Sequence, residues 1–256
     1  MRIDILPHHD PMTPPEQARV GLLALATDLF SEADLRRMLP DTVGLYSNRV
    51  RHENPMSLEA LRRVADDLPR CGRDLLPGLE LDVVVYGCTS GTIALGEAET
   101  LALIARSRPC RFQSTPVTAS LAALAHLGAR RVSILTPYLA DVNRALGDYY
   151  ATRDLEVLNV SGLNMSDDYA MTALHPDTLV EAGVAAMDDD ADALFISCTA
   201  LRASQAVERL EALLGRPVVT SNQAIAWHVL QLTGQAPGAS APGRLFHTPA
   251  QGSAHD

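Results

Sequence analysis

Two segments of this chain, about 110 residues apart, carry the same local pattern. The first runs from Leu81 to Thr89 and the second from Ala191 to Thr199. In each, an aspartate lies six residues before a cysteine, and an apolar run typical of a buried strand lies between them. A Cys-Thr pair then begins a helical stretch. The repeat predicts two copies of one half-unit, which present Cys88 and Cys198 from equivalent positions.

Eight short apolar runs alternate with helical patterns along the chain. The predicted strands are Val20–Ala26, Val43–Tyr46, Val83–Gly87, Arg111–Ser114, Val132–Thr136, Leu155–Val160, Ala193–Ser197 and Val218–Thr220. The predicted helices include Leu58–Leu68, Thr92–Arg106, Val117–Leu127, Asp177–Met187 and Ala200–Leu214. Continuous apolar strands separated by helices indicate parallel sheets covered on both faces. We therefore expect an α/β fold with two pseudo-symmetric, Rossmann-like lobes, each a roughly four-stranded parallel sheet flanked by helices.

The repeat also predicts where the lobes divide. We expect residues 1–115 plus 217–256 in the first lobe, with the C-terminal segment returning to it, and residues 116–216 in the second. Ligands of parallel sheets bind at the carboxyl ends of the strands, where both cysteines are predicted to lie. With the lobes facing each other, both thiols would face one cleft.

A cysteine at a helix N-terminus is expected to have a lowered pKa, because the unpaired N–H groups and the helix dipole stabilise the thiolate. Each predicted loop therefore offers a nucleophile or a base. The alternative is that Cys88 and Cys198 are merely small residues at crowded strand ends.

Composition excludes several classes of function. A net charge of −10 argues against nucleic acid, which needs a clustered basic face. All 21 basic residues are arginine, so pyridoxal Schiff-base chemistry and the lysine of a P-loop are excluded. The four cysteines show neither Cys-x-x-Cys spacing nor a nearby histidine cluster, so no metal site is predicted. We find no membrane-length apolar run and no signal peptide, so we expect a cytoplasmic protein without a membrane partner.

Four segments resemble the aspartate/glutamate racemase superfamily, and in particular its maleate cis-trans isomerase and arylmalonate decarboxylase branch. They are VVYGCTSG at 84–91, LTPY at 135–138, FISCTALR at 195–202 and PVVTSNQA at 217–224. Residues 46–51 and 243–246 resemble the ectoine-utilisation members most closely. The resemblance extends from about Arg19 to Phe246 and is specific for the superfamily rather than for a substrate.

The resemblance implies cofactor-independent chemistry on a small carboxylate, in a homo-oligomer such as a dimer or tetramer. Isomerase members form a covalent cysteine adduct with maleate, and racemase members move a proton between two cysteines. Decarboxylase members use one cysteine, matching Cys198, as proton donor. Two cysteines favour isomerase or racemase; the alternatives are such a decarboxylase and a non-catalytic carboxylate-binding protein.

The family pattern also implies roles for individual residues. Cys88 would be the nucleophile or first base and Cys198 the second acid or base, although pseudo-symmetry leaves the order of these roles open. The expected substrate-binding residues are Asn48, Thr89, Ser90, Tyr138, Asn164, Thr199 and Ala200. Helix capping is the alternative for Thr89, Ser90 and Thr199, a half-buried helix-start position for Tyr138, and a turn position for Asn164.

One position departs from the family pattern. Where maleate isomerases carry an asparagine after the first strand, this chain has Asp28. A carboxylate there would repel a substrate carboxylate and accept a hydrogen bond from an amine or amide. Asp28 thus favours an amino-acid-like or N-acylated substrate, unless it is an exposed capping residue.

Overall fold

Two parallel sheets with the same strand order form the core of the molecule. The computed structural model describes residues 1, 3–6 and 16–249. The first sheet has the order β2-β1-β3-β4, formed by β1 (Ala18–Leu25), β2 (Val43–Val50), β3 (Val83–Tyr86) and β4 (Phe112–Ser114). The second has the order β6-β5-β7-β8, formed by β5 (Arg131–Thr136), β6 (Glu156–Gly162), β7 (Ala193–Ile196) and β8 (Val218–Thr220). All pairings are parallel, and the predicted fold class is confirmed.

Helices connect the strands and cover the sheets. They are α1 (Ser31–Met38), α2 (Leu58–Arg73), α3 (Thr89–Leu95), α4 (Glu97–Ser107), α5 (Pro116–His126), α6 (Ala140–Ala151), α7 (Asp168–Ala173), α8 (Pro176–Ala186), α9 (Val207–Leu214), α10 (Ser221–Thr233) and α11 (Arg244–His247). Local sequence fixes several starts. Thr115 accepts from the Thr118 N–H before a first-turn proline, and Thr220 forms a capping box with Gln223.

Two predicted helices are wrong in detail. The segment 92–106 is divided at Gly96, whose φ of 88° separates α3 from α4. The segment predicted as a helix from Ala200 begins instead with a turn and a 3₁₀ helix, Ala203–Ala206, before α9. Cys198 therefore does not begin a helix, and its φ of 130° is incompatible with one.

The repeated aspartate has a structural role in both lobes. The Asp82 carboxylate accepts from the Arg19 N–H at 2.8 Å, which joins the start of β3 to the start of β1. In the second lobe the Asp192 carboxylate accepts from the N–H groups of Arg130 and Arg131 at 3.0 and 2.8 Å. Each aspartate thereby fixes the register of the strand that ends at a cysteine.

The predicted lobe boundary at residue 217 is wrong for β8. This strand pairs with β7 through Leu194–Val218 and Ile196–Thr220, so it belongs to the second sheet. Helix α10, which follows directly, contacts α1, α5 and β3 and so reaches the first lobe. The rest of the predicted division stays a prediction, as do the oligomeric state and the cytoplasmic location. Within the described residues, no helix has the length and apolarity needed to cross a membrane.

Candidate active site

A narrow cavity lies between the lobes at the carboxyl ends of the strands. Its lining residues are Leu25, Thr27, Asp28, Met56, Cys88, Ser90, Tyr138, Asp168, Cys198, Thr199 and Ala200. It encloses about 330 Å³, including the part open to solvent.

Cys88 follows β3 and caps the first turn of α3. Its Sγ accepts from the Gly91 N–H at 3.2 Å and lies 3.5 Å from Ser90 Oγ. Residue 91 must be glycine, because a Cβ there would clash with the Tyr86 hydroxyl and lie 3.1 Å from Cys88 Sγ. The loop therefore directs one backbone donor at the sulfur.

Cys198 follows β7 at the equivalent position of the second lobe. Its N–H donates to Ser221 Oγ at 3.0 Å, and Ser221 Oγ lies 2.9 Å from Thr89 Oγ1 of the first lobe. The neighbouring Thr199 hydroxyl donates to the Gly87 carbonyl at 2.9 Å. The two cysteine loops are thus joined to each other by hydrogen bonds across the cleft.

A buried polar network holds the unusual backbone at Cys198. Asn222 Nδ2 donates to the Thr199 carbonyl at 2.9 Å and to Asp34 Oδ2 at 3.1 Å. Ser204 donates to the other oxygen of Asp34. Burial raises the pKa of Asp34 to about 6, although both hydrogen bonds oppose the shift. Residues 217–224 therefore position the Cys198 loop through Ser221 and Asn222.

Burial dominates the ionisation of both thiols. It raises the pKa of Cys88 to about 11 and the pKa of Cys198 to about 12. Hydrogen bonds from Ser90 and the Gly91 N–H lower the pKa of Cys88, and the Ala200 N–H and the Tyr138 hydroxyl lower that of Cys198, but each effect is smaller than desolvation. The predicted lowering of these pKa values is wrong, and both thiols are protonated at neutral pH in the unliganded protein.

Tyr138 lies in the cavity wall as predicted. It is 2% exposed and follows β5, where its N–H donates to Thr136 Oγ1 at 3.0 Å. Its carbonyl accepts from Asn143 Nδ2 at 3.1 Å. Burial raises the pKa of Tyr138 well above its ordinary value, so its hydroxyl stays a neutral hydrogen-bond donor beside the thiols.

Asp28 also lines the cavity, but both of its carboxylate oxygens are used by α1. Oδ1 accepts from the N–H groups of Phe30 and Ser31 at 2.8 and 2.9 Å, and Oδ2 accepts from the Ser31 hydroxyl. Asp28 is therefore a capping residue, buried rather than exposed. Because both carboxylate oxygens already accept hydrogen bonds from the protein, Asp28 no longer supports an amine or amide group on the substrate.

Three predicted binding residues are outside the lining. Asn48 lies on the edge strand β2, where its Nδ2 donates to the Cys71 carbonyl at 3.0 Å. Asn164 is exposed and has a φ of 57°, and it is not among the lining residues. Thr89 is buried against Ser221. The other seven predicted residues all line the cavity.

Sequence reasoning missed Leu25, Thr27, Met56 and Asp168. Asp168 is 5% exposed, and its Oδ2 accepts from the Thr27 hydroxyl at 2.5 Å. Behind it, His52 Nε2 lies 3.5 Å from the same oxygen. The only available signal was that Asp167 and Asp168 follow the loop that contains Asn164, after a predicted strand.

Fold and site together define a two-lobed α/β protein with a cavity that carries one cysteine from each lobe. The sequence profile of the arylmalonate decarboxylase family matches residues 80–246. A maleate isomerase of Alcaligenes faecalis is 27% identical over 237 residues, which cover 84% of this chain and 89% of the relative. An arylmalonate decarboxylase of Bordetella bronchiseptica is 36% identical over 160 residues, 60% of this chain and 62% of the relative.

A solved structure agrees in fold. It is a maleate cis-trans isomerase mutant of Nocardia farcinica with a covalently bound succinylcysteine intermediate, at a TM-score of 0.81 and 20% identity. The match covers 91% of this chain and 99% of that one. This chain belongs to the arylmalonate decarboxylase family, which confirms the resemblance to the maleate isomerase and arylmalonate decarboxylase branch.

Proposed function

We propose that this protein is a cofactor-independent isomerase or racemase that uses Cys88 and Cys198 on a small carboxylate. The observation that carries the proposal is that both thiols line one cavity, each from the equivalent strand end of its lobe. A substrate between them would have one sulfur group on each face.

The surroundings of the two sulfurs suggest their order. Cys88 Sγ accepts the Gly91 N–H bond at 3.2 Å, which favours its thiolate form. We therefore assign the role of nucleophile or first base to Cys88 and that of proton donor to Cys198. The hydroxyls of Ser90 and Tyr138 are the side-chain donors that face a substrate carboxylate. The Thr199 hydroxyl donates to Gly87 instead.

In the isomerase reaction, the Cys88 thiol first releases its proton to solvent, and the thiolate sulfur adds to one carbon of the double bond. The electron pair moves to the neighbouring carbon and into its carboxylate, and the Cys198 thiol protonates that carbon. After rotation about the new single bond, the Cys198 thiolate removes a proton from the same carbon, and the C–S bond breaks with its electron pair returning to the Cys88 sulfur to give the trans product. The succinylcysteine of the Nocardia farcinica enzyme supports such an adduct by analogy.

In the racemase reaction, the Cys88 thiolate removes the α-proton and the Cys198 thiol delivers one to the opposite face. No atom is gained or lost, and the enzyme exchanges the protonation states of its thiols. The reverse reaction uses the same two sulfurs in the opposite order.

A decarboxylase is the second candidate, favoured by the family profile and by the 36% identical relative. Loss of carbon dioxide from a malonate would leave an enediolate, which Cys198 would protonate. Such a reaction needs one thiol, and it gives no role to Cys88.

The finer proposal is an amino-acid or N-acyl amino-acid substrate from ectoine breakdown. The residues that resemble the ectoine-utilisation members, 46–51 and 243–246, lie outside the cavity lining and support the fold. Arg49 on β2 donates to the carbonyls of Leu25 and Asp28, and the Arg244 N–H donates to Glu211. The lining residues therefore have to decide the substrate.

Proton NMR in D2O tests the proposal. The panel is maleate, aspartate, glutamate, phenylmalonate and the N-acetyl-2,4-diaminobutyrates. Fumarate from maleate would support the isomerase, and loss of an α-proton signal from an amino acid would support the racemase. Conversion of phenylmalonate alone would favour the decarboxylase. Silence from a protein that still binds panel members would favour the non-catalytic binding protein.

A further inference from the structure

The cavity wall contains a buried acidic group, Asp168, which forms no ion pair with an arginine in the described part of the chain. Asp168 is the first residue of α7, but its neighbour Asp167 caps that helix by accepting from the N–H groups of Tyr169 and Ala170. The Asp168 side chain is therefore free to face the cavity, which it lines together with both thiols.

The cavity offers no cation to Asp168. None of the residues that line it is arginine, histidine or lysine. Within the described chain, the nearest basic group is the His52 ring, 3.5 Å behind the carboxylate. That ring is fully buried, both of its nitrogens lack a hydrogen-bond partner, and burial lowers the pKa of His52. His52 is therefore a weak counter-ion for Asp168.

The second acid of the wall differs from Asp168. Three donors from the start of α1 satisfy Asp28, whereas the Asp168 carboxylate receives one hydrogen bond, from Thr27. Burial raises the pKa of Asp168, although the Thr27 hydrogen bond and His52 lower it. A dicarboxylate bound in this cavity would place one of its carboxylates next to Asp168.

We infer that Asp168 is a specificity-determining residue that selects a substrate with a cationic nitrogen at one end and a carboxylate at the other. The inference rests on the proposed function and names its substrate class as an amino-carboxylate rather than a dicarboxylate. The substrate ammonium group binds Asp168, and the carboxylate faces the hydroxyls of Ser90 and Tyr138.

The same pairing would assist the chemistry. The charge of Asp168 raises the pKa of both Cys88 and Cys198. An ammonium group bound to Asp168 would remove this contribution, whereas burial, the largest cause of the raised pKa at both sulfurs, would remain.

Three ligands of similar length and different charge test the inference. They are 4-aminobutyrate, with an ammonium end, succinamate, with a neutral amide end, and succinate, with a second carboxylate. Calorimetric titration at pH 7 should show that the wild-type protein binds 4-aminobutyrate at least about tenfold more tightly than succinate, since a charged hydrogen bond is gained rather than a repulsion. Equal or weaker binding of 4-aminobutyrate, including no binding at all, would overturn the inference without any variant.

Asp168→Asn removes the charge and keeps the shape. This variant should lose at least about tenfold in affinity for 4-aminobutyrate, gain affinity for succinate and change little towards succinamate. Asp167→Asn is the matched control, because it removes the same charge one residue away on the exposed cap and should leave the ratio unchanged. An unchanged ratio in Asp168→Asn, or the same shift in both variants, would contradict a direct contact.

Failure of the proposed function would look different. If the binding preference holds but no panel member is turned over, Asp168 selects a ligand in a protein that is not an isomerase or racemase. If maleate is isomerised while succinate binds more tightly than 4-aminobutyrate, the two-thiol chemistry stands and the role of Asp168 is wrong.

Discussion

At Cys88 and Cys198, two opposing influences act on the same kind of group. Backbone and hydroxyl donors favour the thiolate, whereas removal from water favours the thiol. Burial is the largest contribution at both sulfurs, which are 4% and 7% exposed as whole residues. The sequence motif reveals the hydrogen-bond donors but not how deeply the loop is buried. For this reason the predicted direction of the pKa shift was wrong.

Alkylation should report this directly. The rate of Cys88 modification by iodoacetamide in the unliganded protein should rise about tenfold per pH unit from pH 7 to 10, because only the thiolate reacts and the pKa is about 11. Cys198, with a pKa of about 12, should react more slowly at each pH. Mass spectrometry of the modified peptides separates the four cysteines. A plateau at or below pH 8 would show that a lowered pKa governs the site after all.

Some site residues could be predicted and others could not. Cys88, Ser90, Tyr138 and Cys198 lie within four residues of a strand end, so their position at the sheet edge is set by local sequence. Asp168 lies several residues beyond β6, and its place in the cavity depends on a contact between lobes, in which its N–H donates to Asn54 Oδ1 at 3.0 Å. No local pattern encodes such a contact.

Among the elements, α1 and α10 meet at a buried carboxyl group. Asp34 is 1% exposed, with a pKa of about 6 against an ordinary value of 3.8. The folded protein therefore binds this proton more tightly than the unfolded chain. The resulting stability is fully present below about pH 4 and is lost as the pH rises to about 6.

Comparison with Asp34→Asn isolates this effect. The unfolding free energy of the wild type minus that of the variant should fall by about 2 kcal/mol between pH 4 and pH 6.5, at ~1.4 kcal/mol per pKa unit. Denaturant titrations at a series of pH values give the difference, and general acid effects cancel in it. A difference that stays constant or rises with pH would contradict a raised pKa.

Ser221, at the start of α10, is a positioning residue for Cys198. Ser221→Ala leaves the Cys198 N–H without its acceptor and breaks the link to Thr89. We expect a loss of about 1–3 kcal/mol in stability and of roughly 10- to 100-fold in kcat, with a smaller change in KM.

Ser47→Ala is the matched control for that variant. Its hydroxyl is also buried but has no hydrogen-bond partner, so its removal should change stability by less than about 0.5 kcal/mol and leave kcat unchanged. Equal effects of the two substitutions, or unchanged kcat in Ser221→Ala, would show that the link between the loops is unimportant for the reaction.

The secondary structure was predicted correctly where one hydrophobic pattern in the local sequence determines it. All eight predicted strands are present. The four central strands, β1, β3, β5 and β7, are mainly apolar, because a parallel strand buried on both faces needs little else. The helix predicted from Ala200 failed, since Cys198 adopts a positive φ held by Ser221 and Asn222, which lie more than twenty residues further on. Helical propensity depends only on the local sequence and therefore cannot reveal these contacts.

For the whole molecule, the duplication explains why one cavity contains two equivalent thiols. The strand orders of the two sheets correspond one to one, and each cysteine follows the third strand of its lobe. The lobes also close over the cavity, because the Met56 N–H of the first donates to the Ser166 carbonyl of the second at 2.8 Å. The repeat predicts the cleft, whereas its closure depends on loops that the repeat does not share.

Both thiols are proposed to act on one substrate, and single cysteine variants test this joint action. Turnover of the panel member that the wild type converts should fall at least ~100-fold in Cys88→Ala and in Cys198→Ala, the scale expected for a lost acid or base. Cys110→Ala is the matched control, since this free cysteine lies outside the cavity lining, and it should keep wild-type turnover. Wild-type turnover in either of the two cavity variants would contradict the two-thiol mechanism.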